Sequence, residues 1–118
     1  MRQAVIVSYA RTGLAKAARG GFNNTSNMDM LGHAVQHAVA RSKVDPAEVE
    51  DVIAGCVAGS GNVARAAALL AGLPFTTSGM TMHRACSSGL NAIAAAAHHI
   101  VEEGASIMVG GGVDSISY

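Results

Sequence analysis

The sequence has no tryptophan, two phenylalanines, two tyrosines, two prolines and two cysteines among 118 residues. With aromatics at 3% and apolar residues at 50%, the core has to be filled by Ala, Val, Ile, Leu and six Met. Small side chains of this kind let helices and strands approach closely. Two cysteines exclude a disulfide framework and fit a reducing compartment, so a cytoplasmic location is expected. Charge of neither sign dominates: eight basic residues balance eight acidic ones, without a run of Lys or Arg. That excludes the electrostatic footprint of a nucleic-acid binder and any strong attraction to anionic membranes. The small or apolar runs, Ala92 to Ala97 among them, are far below the roughly 18 residues that a membrane span requires. The run Ala4-Val5-Ile6-Val7 is too short for the core of a secretory signal and reads as a first strand.

What is present is a regular alternation of two periods. A β-rich run over residues 3 to 9 gives way to a loop containing Gly20-Gly21 and Asn23-Asn24. A helix is expected to start near Ser26 to Asp29, with Met28, Leu31, Val35, Ala38 and Val39 on its apolar stripe, and to end near Ser42 before Asp45-Pro46. Glu48 to Glu50 form an acidic patch. Val52 to Val57 reads as a strand buried on both faces, and Val63 to Ala71 as a second helix stopped by Gly72 and Pro74. Residues 77 to 83 make the next strand, Ser87 to Val101 a third helix, and Ser106 to Val109 a further strand that runs into Gly110-Gly111-Gly112. Strands and helices in alternation predict an α/β fold, a mainly parallel sheet with helices on both faces. Nothing divides residues 1–118 internally, and they make one domain.

Chemistry concentrates at Met80-Thr81-Met82-His83-Arg84-Ala85-Cys86-Ser87-Ser88-Gly89-Leu90, where an extended segment breaks at a cysteine and restarts as a long alanine-rich helix. Cys86 is therefore expected at a helix N-terminus. Unpaired N–H groups and about half a positive charge at that end favour a thiolate and provide donors for an oxyanion. Ser87, Ser88 and Gly89 leave the sulfur uncovered, Arg84 adds positive potential, and the strand-turn-helix layout is that of a nucleophile elbow. Cys56, mid-strand with no helix end or cation near it, reads as packing.

The histidines invite other assignments. His33 and His37 have the i, i+4 spacing of zinc sites, yet they lie opposite the apolar stripe and no Glu follows His33 directly, so a solvated or interface face is expected and no metal. His98 and His99 sit in the last turns of a helix, where exposed carbonyls suit imidazolium. His83 precedes Cys86 by three residues, but from the end of a strand it need not point at the sulfur. The triple glycine lacks both the Walker pattern and the dinucleotide fingerprint, and reads as a place of close backbone approach.

Assembled in order, these residues resemble the N-terminal part of a thiolase, the family of acyl-CoA acyltransferases that make or cleave 3-ketoacyl-CoA. Ala4 to Val7 with Ala10-Arg11-Thr12-Gly13 is similar to the family's opening strand and turn, and Gly61 to Arg65 leading to Ala71-Gly72-Leu73-Pro74 to its second helix. Cys86-Ser87-Ser88-Gly89-Leu90 is similar to its nucleophile motif and Gly110 to Ser117 to the segment after its fourth strand. The resemblance implies that Cys86 takes an acyl group as a thioester and that its backbone N–H donates to the oxyanion. It implies coenzyme A thioesters as substrates, no separate cofactor, and a dimer or dimer of dimers. The family most often has Asn at His83, often Glu at Asp114, and a longer loop between Cys56 and Asn62. Its catalytic histidines and second cysteine lie beyond the part matched here, so the remainder of a thiolase, as a separate or missing polypeptide, is an expected partner and these residues alone are expected to be inactive. A ketoacyl synthase of the same superfamily, which also commonly reads Cys-Ser-Ser, and a non-catalytic acyl-CoA or lipid-binding thiolase-like protein are the alternatives.

Overall fold

In the computed structural model, which describes residues 2–118, three helices, one 3-10 turn and three strands follow in the order α1 (Asn27–Ser42), 3-10 (Pro46–Glu48), β1 (Asp51–Gly55), α2 (Val63–Leu70), β2 (Ser78–Met82), α3 (Ser88–Glu103) and β3 (Met108–Gly112). The sheet is wholly parallel with order β2-β1-β3. Asp51 pairs with Ser78 on one side and Met108 on the other, and Gly55 with Met82 and Gly112, so all three strands end at one level. The α/β class with helices on both faces is as the alternation predicts.

The central strand explains the two layers. Val52, Ala54 and Cys56 point to one face, where they pack with Leu31, Val35 and Val39 of α1 and Val63, Ala64, Ala67 and Ala68 of α2. Ile53, on the opposite face, meets Ala92 and Ala96 of α3. Alternate residues of a strand face opposite ways, and a middle strand covered on both sides has to be apolar throughout.

Local signals set the helix ends. Ser26 caps α1 by accepting the Asp29 N–H at 3.1 Å while its hydroxyl donates to the Asp29 carboxylate at 2.7 Å, a variant of the reciprocal capping box. Asn62 caps α2 by accepting the Arg65 N–H, and Gly104 ends α3 with φ of 78°, a backbone conformation open to glycine without strain. Met28 is 42% exposed, because the first turn of α1 buries Asn27 and Met30 instead. The strand expected at Ser106 to Val109 runs later, through Gly112. Two of its glycines lie against α3: a Cβ on Gly110 would stand 2.8 Å from the Ile93 Cα, and one on Gly112 3.1 Å from the Gly89 Cα.

Residues 3 to 9, expected as the first strand, belong to no sheet. Val5, Ile6 and Val7 are 69%, 78% and 71% exposed. The segment is held by side chains: Arg2 donates to the carbonyls of Ile100 and Ala105, Ser8 to that of Ala38, and Arg41 to that of Tyr9. A strand exists by pairing, and here no strand among the described residues lies beside it.

Candidate active site

Strand register brings Met82, Gly55 and Gly112 to the C-terminal edge of the sheet, where parallel α/β sheets bind their ligands. The chain turns there over His83–Ser87 and enters α3 at Ser88. The helix start sits directly on the sheet: a Cβ on Gly55 would lie 2.4 Å from the Ser88 carbonyl carbon and 2.6 Å from the Gly89 nitrogen. Glycine at the end of β1 is therefore what allows the N-terminus of α3 to reach this position.

Cys86 stands one residue outside the N-cap, which is Ser87, and is exposed. Ser87 offers no side-chain cap to the helix, so its side chain does not offset the partial positive charge of the α3 N-terminus, the end at which Cys86 stands. Among the described residues neither the Cys86 thiol nor its backbone N–H is engaged in a hydrogen bond. The elbow around it is pinned. Ser88, 3% exposed, accepts the Arg84 N–H at 2.6 Å and donates to the Ala85 carbonyl at 2.7 Å, while Ser87 donates to the Arg84 carbonyl at 2.9 Å. His83 accepts the Ala85 N–H through Nδ1 at 3.2 Å. Ala85 itself has φ of 47°. The two serines, read from sequence as merely small, fasten the turn, and that role was hidden because these short-range bonds form only at the backbone angles of the turn itself.

Cys56 is the contrast. It is 5% exposed, and burial pushes its thiol up, with the neighbouring Asp114 carboxylate adding to the rise. Its Sγ lies 3.7 Å from Asp114 Oδ1, which also accepts the N–H groups of Val57 at 2.9 Å and Ala58 at 2.7 Å. Asp114 thus holds the β1–α2 turn beside the elbow. The packing role expected for Cys56 agrees with this setting.

The other histidines stay apart from the elbow. The rings of His33 and His37 lie tilted at 55° with centroids 4.4 Å apart on the exposed side of α1, and no group of three or more His, Cys, Asp or Glu side chains suited to a metal occurs among the described residues. His99 lies 3.4 Å from Glu103 at the end of α3. A concavity of about 500 Å³ between Arg11–Lys16, Phe22 and Gly112–Ser117 does not include Cys86 among its walls.

A family model for the thiolase N-terminal domain matches residues 4–118. This chain belongs to the thiolase family. Among curated thiolases it is similar to the peroxisomal 3-ketoacyl-CoA thiolase 5 of Arabidopsis thaliana, 40% identical over 117 residues that are 96% of this chain and 26% of that protein. It is 38% identical to a 3-ketoacyl-CoA thiolase of Stutzerimonas stutzeri, over 99% of this chain and 31% of that one. Among solved structures it superposes on the Bacillus anthracis acetyl-CoA acetyltransferase with a TM-score of 0.95 at 37% identity, covering 99% of this chain and 30% of that one. Acat5 thiolase from Ascaris suum, in complex with coenzyme A, gives 0.93 at 28% identity over 98% and 31%. The thiolase resemblance carried by the sequence motifs and the expected fold class both hold. The chain spans about 26–31% of the length of these thiolases. No helix among the described residues is long and apolar enough to cross a membrane.

Proposed function

We propose that this chain supplies the nucleophile of a thiolase-type acyltransferase acting on acetyl-CoA and 3-ketoacyl-CoA, and that Cys86 is that nucleophile. The observation that carries the reading is an exposed thiol just outside the N-cap of a 16-residue helix, at the C-terminal edge of a parallel sheet, in a chain matched by the thiolase family model. The Cys86 thiolate attacks the carbonyl carbon of the acyl thioester. As the new carbon–sulfur bond forms, the carbonyl opens to an oxyanion that accepts from the Cys86 N–H and lies in the positive field of α3. Collapse of the oxyanion breaks the bond to coenzyme A, whose thiolate leaves and takes up a proton, and the acyl group remains on Cys86. Attack by a second thiol releases it as a new thioester, and attack by the carbanion of acetyl-CoA joins two carbon atoms.

Both steps need bases. By the family resemblance these are histidines and a second cysteine outside the present 118 residues, so the chain carries half a site and turns over only with the remainder of a thiolase, in a dimer or dimer of dimers. Coenzyme A thioesters enter as substrates, and the scheme calls for no prosthetic group.

Incubation of the complete unit with acetyl-CoA, followed by peptide mass mapping, is expected to place one acetyl group on Cys86 and none on a Cys86→Ala variant. Acetoacetyl-CoA with free coenzyme A is expected to yield acetyl-CoA, which a synthase using carrier-bound acyl groups would release poorly. Acetylation at another residue sinks the assignment. Full thiolysis by the 11.9 kDa chain with no second polypeptide sinks the half-site reading.

A further inference from the structure

Among the described residues, three other than glycine have a positive φ: Ala18 at 62°, Lys43 at 65° and Ala85 at 47°. The left-handed region is unfavourable for an L-residue with a Cβ and persists where surrounding groups over-determine it. In each of the three the residue's own N–H is held. Lys43, at the C-cap of α1, donates to the Ala40 carbonyl, and Ala18 donates to Ser117 Oγ at 2.7 Å. Ala85 donates to an imidazole, His83 Nδ1, at 3.2 Å. We propose that His83 is a positioning residue for Cys86: its Nδ1 captures the Ala85 N–H and so locks the left-handed residue that precedes the thiol.

The bonding around the elbow divides the labour. Ser87 and Ser88, at the helix side, tie the Arg84 N–H, the Arg84 carbonyl and the Ala85 carbonyl. His83, which directly follows β2, supplies the remaining tie, to the Ala85 N–H. Release of that N–H leaves the Arg84–Ala85 peptide plane held at its carbonyl end alone, by the Ser87 hydroxyl and N–H, and so loosens the orientation of the residue that follows, with its N–H and thiol. The capture also fixes the chemistry of the ring. A nitrogen that accepts carries a lone pair and no proton, which places the ring proton on Nε2. His83 Nδ1 is then not free to take the Cys86 proton.

The proposal rests on the reading of Cys86 as acyl acceptor for its purpose, but its geometry is testable apart from that reading. Long-range proton–nitrogen correlation spectra of the chain are expected to show the Nε2–H tautomer at His83; a proton on Nδ1 overturns the proposal. Amide exchange at Ala85 is expected to quicken about tenfold in His83→Ala, the factor that one hydrogen bond of ordinary net strength carries. His83→Asn, whose side-chain oxygen reaches the N–H two residues on in an Asx turn, is expected to stay within about threefold of the parent. If His83→Ala leaves the exchange unchanged, or His83→Asn is no better than His83→Ala, the lock does not exist. In the complete unit, kcat is expected to fall about tenfold in His83→Ala with KM for acyl-CoA unchanged, and to recover in His83→Asn. A KM effect with kcat intact overturns the positioning role, whereas absence of Cys86 acylation in the parent unit strikes the acyl-transfer reading and leaves the tautomer and exchange results to decide His83.

Discussion

Cys56 and Cys86 carry the same thiol into opposite surroundings. Cys86 is exposed one residue outside the N-cap of α3, whereas Cys56 is buried beside the Asp114 carboxylate, and burial first, then that charge, pushes its thiol up. Because only the thiolate is nucleophilic and only an accessible one meets a reagent, iodoacetamide at neutral pH is expected to modify Cys86 roughly a hundredfold faster than Cys56. Peptide mass mapping over a time course checks this, and Cys56 is expected to react only once urea opens the core. The distinction was legible in the sequence, since one cysteine follows a strand and starts a helix while the other sits within an apolar run. What was not legible is the set of side chains that aim Cys86. His83, Ser87 and Ser88 bind backbone groups two to four residues away, and such local bonds form only at backbone angles that a linear pattern does not specify.

One close contact between elements seats the elbow on the sheet, and a second ties the sheet's opposite end. Gly55 ends β1 against Ser88, where a Cβ would stand 2.4 Å from a backbone carbon. Backbone yields less readily than a side chain, so Gly55→Ala is expected to cost about 2 kcal/mol or more, with α3 displaced from the strand ends. Gly111→Ala is the control, because nothing lies within 4 Å of its Cβ position, and its effect is expected to stay below about 1 kcal/mol. Urea unfolding midpoints read both. At the other end of the sheet Glu50 accepts the N–H groups of Ser106 and Ile107, joining the start of β1 to the turn before β3. These two bonds, Ser106 first, hold the carboxyl below its ordinary value of 4.5. A lowered folded value means that stability is fully present above about pH 4.5 and drains away as pH falls through the folded value. Glu50→Gln is therefore expected to be less stable than the parent at pH 7, and the two are expected to converge as pH drops well below 4.5. The elements themselves were readable within a residue or two wherever a cap or breaker marked them, as at Ser26, Asn62 and Gly104. The last strand was placed short because Gly110 to Gly112 look like a break, and only the approach of α3 shows why glycine belongs inside that strand.

The whole molecule explains the one element that the sequence misplaced. Residues 4 to 7 have the apolar, β-branched character of a strand, but the sheet consists of β2-β1-β3 and none of its strands adjoins them. Propensity names the conformation that a segment prefers; pairing depends on a neighbour, and a neighbour is a property of the assembled fold. Val5, Ile6, Val7 and Tyr9 are left largely exposed together, and so are Leu90 and Ile93 on α3, whereas the thiolases matched here are more than three times as long as the stretch this chain covers. Apolar side chains exposed in this way are available to a covering surface. If the remainder of a thiolase covers them, Ile6→Asp, at a side chain 78% exposed, is expected to leave the urea midpoint of the 118-residue chain within about 0.5 kcal/mol of the parent. The same substitution in the complete unit is expected to place a charge in an apolar interior and cost about 3 kcal/mol or more. Parallel unfolding titrations of the chain and of the complete unit measure the two effects, and equal, small losses in both would show that residues 3 to 9 stay at the surface of the finished enzyme.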